Sequence, residues 1–138
     1  LVTGALIDTN IFIKLIDGEQ AVIDGIRTLN SEGHRLHVSA VTIAEAFSGA
    51  INEKIQEQIE KLTKIEGMVL AVDYQVASLA GHLRRSERLR SKNPRNVKTP
   101  DALIIATAIK NDMLLVTNDK GMWFAKEIGV NVRSFGVT

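Results

Sequence analysis

The chain has 138 residues, 45% of them hydrophobic and 24% charged, with a formal net charge of +1 and no cysteine. That size and balance fit one soluble globular domain over residues 1–138, large enough to bury a core. The missing cysteine excludes disulfides, zinc–thiolate sites and thiol nucleophiles and fits a reducing, cytoplasmic setting, while no apolar run reaches the ~20 residues of a membrane span.

Leu1 to Leu6 lacks the charged start and long apolar stretch of a signal peptide, and the absence of an initiating Met points to loss of at least one residue at the start. Ala5-Leu6-Ile7 predicts a short buried strand closed by Asp8-Thr9-Asn10. Val22, Ile23, Ile26 and Leu29 recur at helical spacing, and Gly33 ends that helix. Leu36 to Ser39 reads as a second strand. Ile43, Phe47 and Ala50 mark one helix. Ile51, Ile55, Ile59, Leu62 and Ile65 mark another, with Glu57/Lys61 and Glu60/Lys64 on its solvated face and Gly67 as its stop. Met68 to Val72 predicts a third strand. Asp73 is placed to cap a helix built on Val76, Leu79, Ala80 and Leu83.

That helix runs into a basic segment. Arg84 to Lys98 holds seven basic residues and one acid, Glu87, for a net +6 against −5 for the rest of the chain. Such asymmetry fits either a polyanion contact or a solvated helix end and loop. Asn93-Pro94-Arg95-Asn96 is a loop, and Thr99 and Pro100 then open a helix as N-cap and first residue. Leu103 to Ile109 is apolar on most sides, so this helix is expected to be deeply buried. Met113 to Thr117 is a fourth strand, Asn118 to Gly121 a turn before a short helix, and Val130 to Phe135 a last strand. Short apolar strands alternating with helices imply an α/β fold with a parallel sheet of about five strands, covered on both faces.

Open parallel sheets bind ligands outside the carboxyl ends of their strands. Asp8 closes the first strand there, Asp119 lies just past the fourth, and Glu45 sits in the first turn of the helix after the second. A helix that leads into a parallel strand is expected to start near the opposite end of the sheet, so topology does not bring Asp101 to the other three. Each acid also has an ordinary explanation. Asp8 suits a turn or a helix cap, Asp119 a turn, Thr42-x-x-Glu45 is a capping box, and Asp101 complements a helix dipole. Together, carboxylates crowded in one crevice repel each other, and a divalent cation with all-oxygen ligation, Mg²⁺ or Mn²⁺, relieves that repulsion.

Ile7-Asp8-Thr9-Asn10, Thr42-Ile43-Ala44-Glu45, Pro100-Asp101-Ala102-Leu103-Ile104-Ile105-Ala106-Thr107-Ala108 and Leu115-Val116-Thr117-Asn118-Asp119 resemble, in order and spacing, the PIN-domain nucleases. The resemblance is closest to the VapC toxins of bacterial and archaeal toxin–antitoxin pairs, and it covers essentially the whole chain. It implies a compact PIN-like α/β domain and a Mg²⁺- or Mn²⁺-dependent endoribonuclease. By matching position it implies Asp8 and Asp101 as principal metal ligands, with Glu45 and Asp119 completing the cluster directly or through water. Thr117 and Asn10 would orient Asp119 and Asp8. It also implies a homodimer and an antitoxin whose C-terminal segment lies over the site, with the helices from Ile43 to Ile65 forming much of the groove. The segment from Arg90 to Thr99 is longer and more basic than the family pattern and lacks a glycine expected there. Arg84, Arg85, Arg88 and Lys98 are the candidates for contacts to RNA phosphates.

Other chemistries fit less well. A dehalogenase-like phosphatase would want a second acid at Asn10. A receiver-like or degenerate nucleic-acid-binding module could use Asp73 and Lys120 but does not need Glu45 and Asp101. A PIN-domain RNA-processing nuclease outside any toxin–antitoxin pair is the nearer alternative. His34, His37 and His82 lack metal-ligand spacing and no P-loop exists. Trp123 and Phe124 read as packing residues rather than a stacking platform.

Overall fold

The computed structural model describes residues 3–50 and 52–136. Five strands, β1 (Thr3–Ile7), β2 (His34–Ser39), β3 (Val69–Leu70), β4 (Leu114–Val116) and β5 (Val132–Arg133), form one sheet. All neighbours are parallel, in the order β3-β2-β1-β4-β5. The chain builds outward from β1 on one side to β3 and then returns to place β4 on the other. That reversal opens a crevice between the carboxyl ends of β1 and β4.

Helices α1 (Thr9–Ile16), α2 (Gln20–Ser31), α3 (Ala40–Gly49), α4 (Glu53–Thr63), α5 (Tyr74–Arg88) and α6 (Thr99–Lys110), with a 3₁₀ helix over Lys120–Ile128, cover the sheet. Alternation along β1 divides the core. Leu6 points to one face, where it packs with Leu115 and with Val76, Ile104, Ile105 and Met122 from α5, α6 and the 3₁₀ helix. Ala5 and Ile7 point to the other and meet Ile11, Phe12, Val22, Val38, Ile59 and Val116. Each Ile or Leu so buried contributes roughly 1.5–3 kcal/mol relative to leaving it in water. The three-layer arrangement makes β1 the centre of the protein, and β1 ends at Asp8.

The helix ends follow from short polar caps. Asp73 accepts the Val76 N–H at 2.9 Å and Asn52 the Ile55 N–H at 2.9 Å. The 3₁₀ helix stops at Gly129, whose φ of +93° suits a residue without Cβ. Among the described residues no helix is long and apolar enough to cross a membrane.

Three boundaries depart from expectation. Of the two ordinary readings of Asp8 the helix cap holds: it caps an eight-residue helix, α1, which the periodicity did not mark, and its Oδ1 accepts the Thr9 N–H at 2.7 Å. Ser39, not Thr42, caps α3, accepting the Val41 N–H at 3.1 Å. The Thr42–Glu45 capping box is therefore not formed, and Glu45 lies in the second turn. Helix α6 is capped at Lys98, without a side-chain bond, so Thr99 is its first residue and Asp101 its third. Ile51, expected in α4, lies outside the described residues.

Candidate active site

Asp8 is buried at the carboxyl end of β1, with 4% exposure, and is held twice. The Thr9 N–H donates to Oδ1, and the Thr117 hydroxyl, from just past β4, donates to Oδ2 at 2.7 Å. Burial pushes the Asp8 carboxyl above its ordinary value of 3.8. The two hydrogen bonds pull the other way, and the charges of Asp119 and Glu45 add to the rise.

Thr117 also positions Asp119, because its Oγ1 accepts the Asp119 N–H at 3.0 Å. The Asp119 side chain is turned by the Gly121 N–H, which donates to its Oδ1 at 2.9 Å. A Cβ on residue 121 would stand 3.1 Å from that oxygen, so glycine permits the close approach. Asn118, between them, is tied to the chain beyond β5 through a 2.8 Å bond from the Phe135 N–H to its Oδ1. The loop after β4 is thus braced on both sides.

Glu45 reaches the site from α3. The Thr9 hydroxyl donates to Glu45 Oε1 at 2.6 Å and lies 3.0 Å from the Thr42 hydroxyl. A single proton on Thr9 cannot serve both, so Thr42 donates to Thr9 and Thr9 to Glu45. Neither threonine was marked by the sequence as a site residue. Asn10, expected to orient Asp8, is exposed and makes no side-chain hydrogen bond among the described residues; the backbone of Thr9 does that work.

Asp101 corrects a topological expectation. A helix leading into a parallel strand must end at that strand's amino edge, and so it starts at the carboxyl edge. Helix α6 does this, and Asp101 on its third residue arrives beside the others. Burial raises its carboxyl from 3.8, followed by the charges of Asp8, Asp119 and Glu45, with Lys98 slightly opposing. Asp8 and Asp101 therefore each feel the charges of Glu45 and Asp119 at the β1–β4 crevice.

No Lys or Arg forms an ion pair with any of the four among the described residues. Nor do three His, Asp or Glu side chains stand within common ligation distance of one point. The donor set is all oxygen and forms no ion pair among the described residues, which is the chemistry of a hard divalent cation. Asp73, by contrast, pairs with Lys110 at the far end of α6 and caps α5. It takes no part in the cluster, which removes the basis for a receiver-like site.

An open groove of about 740 Å³ leads from the acids. Asp101 and Asp119 line it together with Arg95, Lys98, Lys120, Trp123 and Glu127. Its wall is the 89–98 segment, clamped by ion pairs. Glu87, 5% exposed, accepts from Arg95 at 2.6 Å and Arg90 at 3.2 Å, and Arg95 also meets Glu127 at 2.8 Å and lies 5.1 Å over the Phe124 ring. Arg84 Nε donates to the Val97 carbonyl at 2.7 Å. Much of the basic run is thus engaged in structure. Arg85 and Arg88 remain exposed on α5, and Lys98 borders the groove. Phe124 is buried as expected, half-buried Trp123 is less enclosed, and both line the groove. The histidines do other work or lie free: His34 bonds Thr3 and His37 the Gly67 carbonyl, and His82 is exposed.

The sequence matches the PIN domain family over residues 5–126. The chain belongs to the PIN domain family. This PIN domain is 25% identical over 138 aligned residues to toxin FitB of Neisseria gonorrhoeae, covering 91% of this chain and 94% of that protein. Its fold matches the FitAcB structure from Neisseria gonorrhoeae with a TM-score of 0.69 at 25% identity, over 93% and 95% of the two chains. VapBC-1 from nontypeable Haemophilus influenzae superposes with a TM-score of 0.74 at 22% identity, over 97% of this chain and 99% of that one. The five-strand parallel sheet is thus the PIN fold.

Proposed function

We propose that this PIN domain is a Mg²⁺- or Mn²⁺-dependent endoribonuclease, acting as the toxin of a toxin–antitoxin pair. One observation carries the chemistry: Asp8 and Asp101 each feel the charges of Glu45 and Asp119 at the strand-order reversal, and none of the four forms an ion pair among the described residues. Asp8 and Asp101 would hold the ion, with Glu45 and Asp119 completing the cluster directly or through water. Bound there, the ion supplies Lewis-acid polarisation of a phosphodiester and its attacking water.

The remaining steps belong to the protein. Thr9 and Thr117 hold the Asp8 carboxylate in one orientation. Thr9, itself held by Thr42, presents Glu45, which with Asp119 is placed to accept a proton from the water. Water adds across one P–O bond, leaving a phosphomonoester and a free hydroxyl. Lys98, Arg85 and Arg88 would contact flanking phosphates, and Lys120 joins them from the groove floor.

The toxin role rests on similarity to FitB and on the FitA–FitB and VapB–VapC complexes that share this fold. An antitoxin segment has a seat in an apolar concavity of about 190 Å³ between α1, α3 and α4, lined by Ile13, Ile16, Ala46, Ile55 and Ile59. A homodimer acting in the cytoplasm completes the reading.

The test is cleavage of a labelled RNA with and without Mg²⁺. Asp8→Asn and Asp101→Asn should each abolish cleavage while far-UV circular dichroism stays native. Full activity in either variant, or in excess EDTA, overturns the nuclease reading.

A further inference from the structure

We propose that Trp123 is a base-stacking surface in the groove, packing against an unpaired nucleobase of single-stranded RNA whose phosphate enters the acid cluster. The inference rests on the ribonuclease reading of the site. It adds a residue that neither the acid chemistry nor the basic segment assigns.

Three observations place the indole. Trp123 is half-buried and lines the same groove as Asp101 and Asp119. Its Nε1–H donates to the Thr117 carbonyl at 3.2 Å, and the hydroxyl of that same Thr117 donates to Asp8 Oδ2. The ring is therefore fixed through one residue to the centre of the site. Lys126 Nζ lies over the ring, 5.5 Å from its centroid, and is not among the groove-lining residues, so one face carries a cation and the stack would form on the other.

The groove also carries the charges a strand needs. Lys98 and Lys120 line it and form no ion pair among the described residues, whereas Arg95 is occupied by Glu87 and Glu127. At about 740 Å³ the groove is wide enough for a nucleotide with neighbours extending into solvent. Two free ammonium groups flanking an aromatic face and a carboxylate cluster match the repeating phosphate, base and scissile phosphate of an unpaired strand. Stacking of this kind tolerates any base, because every base has a π-face.

Trp123 is the single tryptophan of the chain, so intrinsic tryptophan fluorescence reports on this site alone. The wild-type protein is titrated in EDTA, to prevent cleavage, with a short unstructured oligoadenylate RNA and, separately, with inorganic polyphosphate. The oligonucleotide should quench the fluorescence saturably, and polyphosphate should not. Polarisation of a labelled strand then compares variants checked for native circular dichroism. Trp123→Leu should weaken binding on the order of tenfold, as expected for one lost base–aromatic stack. Trp123→Phe, which keeps a ring but cannot donate to Thr117, should bind within about twofold of wild type because the stack persists. No saturable quenching, equal quenching by polyphosphate, or equal weakening in Trp123→Phe and Trp123→Leu overturns the proposal. None of these outcomes bears on the nuclease reading, which falls only if cleavage survives EDTA or the loss of Asp8 or Asp101.

Discussion

The Thr117 hydroxyl donates to Asp8 Oδ2 at 2.7 Å across 109 residues of sequence, and its oxygen accepts the backbone N–H of Asp119. One buried threonine thereby sets two of the four acids. Thr117→Val should remove both bonds at nearly constant volume. Denaturant unfolding should show a loss of about 1–3 kcal/mol, the usual cost of leaving a buried polar partner unsatisfied. RNA cleavage should fall at least about tenfold, the rate equivalent of ~1.4 kcal/mol of lost positioning. Thr117→Ser should restore most of both.

The acids should also make the metal-free protein sensitive to pH. The carboxyls of Asp8 and Asp101 both lie above 3.8 in the folded state, so the folded protein binds more protons than the unfolded chain between the two values. Their neutral forms therefore favour folding fully below 3.8, and that contribution is lost as pH rises through the folded values. In calorimetry without divalent ions, the Tm of the wild-type protein relative to Asp101→Asn should fall as pH is raised from acid toward neutral. Mg²⁺ should recover part of the loss at neutral pH. Asp101→Asn should raise the neutral-pH Tm of the metal-free protein and weaken the response to Mg²⁺. A Tm indifferent to Asp101→Asn and to Mg²⁺ would contradict the crowding described here.

Salt dependence should separate structural from ligand-facing cations. Lys98→Ala and Lys120→Ala should each lower the slope of log K against log salt for single-stranded RNA by about 0.7, the loss of one phosphate contact. Arg84→Ala should leave that slope unchanged and reduce stability instead, since its Nε is bound to the Val97 carbonyl.

The groove wall depends on Glu87. Glu87→Ala would strand Arg90 and Arg95 around an apolar gap. The expected cost is about 2 kcal/mol, below the ~3–5 kcal/mol of a fully buried pair, because both guanidiniums reach solvent and keep Glu127. Hydrogen exchange should then show the 89–98 segment opening while the β1 amides stay protected.

Much of this architecture was legible from periodicity. The five short apolar runs became the five strands, and the apolar stretch after Pro100 became the buried helix α6. Helix α1 was not legible, since Asp8-Thr9-Asn10 reads equally as a turn and only two helical turns follow. Three acids could be placed by sheet logic; Asp101 could be too, once the direction of a crossover helix is followed to its carboxyl-edge start. The capping-box signature at Thr42 misled because Ser39 offered a better cap three residues earlier. The role of Thr9 in holding Glu45 left no local trace, because it depends on α3 packing against α1. Glu87 did leave one, as the lone acid in a basic run. The place of Trp123 at the groove was not legible, because which way an indole faces is decided by tertiary contacts, here the bond to Thr117.

The strand order has a consequence for synthesis. β1 pairs with β2, whose matched residues are 31 positions away, and with β4, whose matched residues are 109 away. The second pairing closes a long loop and cannot form until residue 116 has emerged. Asp119 follows it by three residues. A growing chain therefore carries Asp8, Glu45 and Asp101 as scattered carboxylates until β4 is made. Any activity of this site begins only once the chain has been made past Asp119.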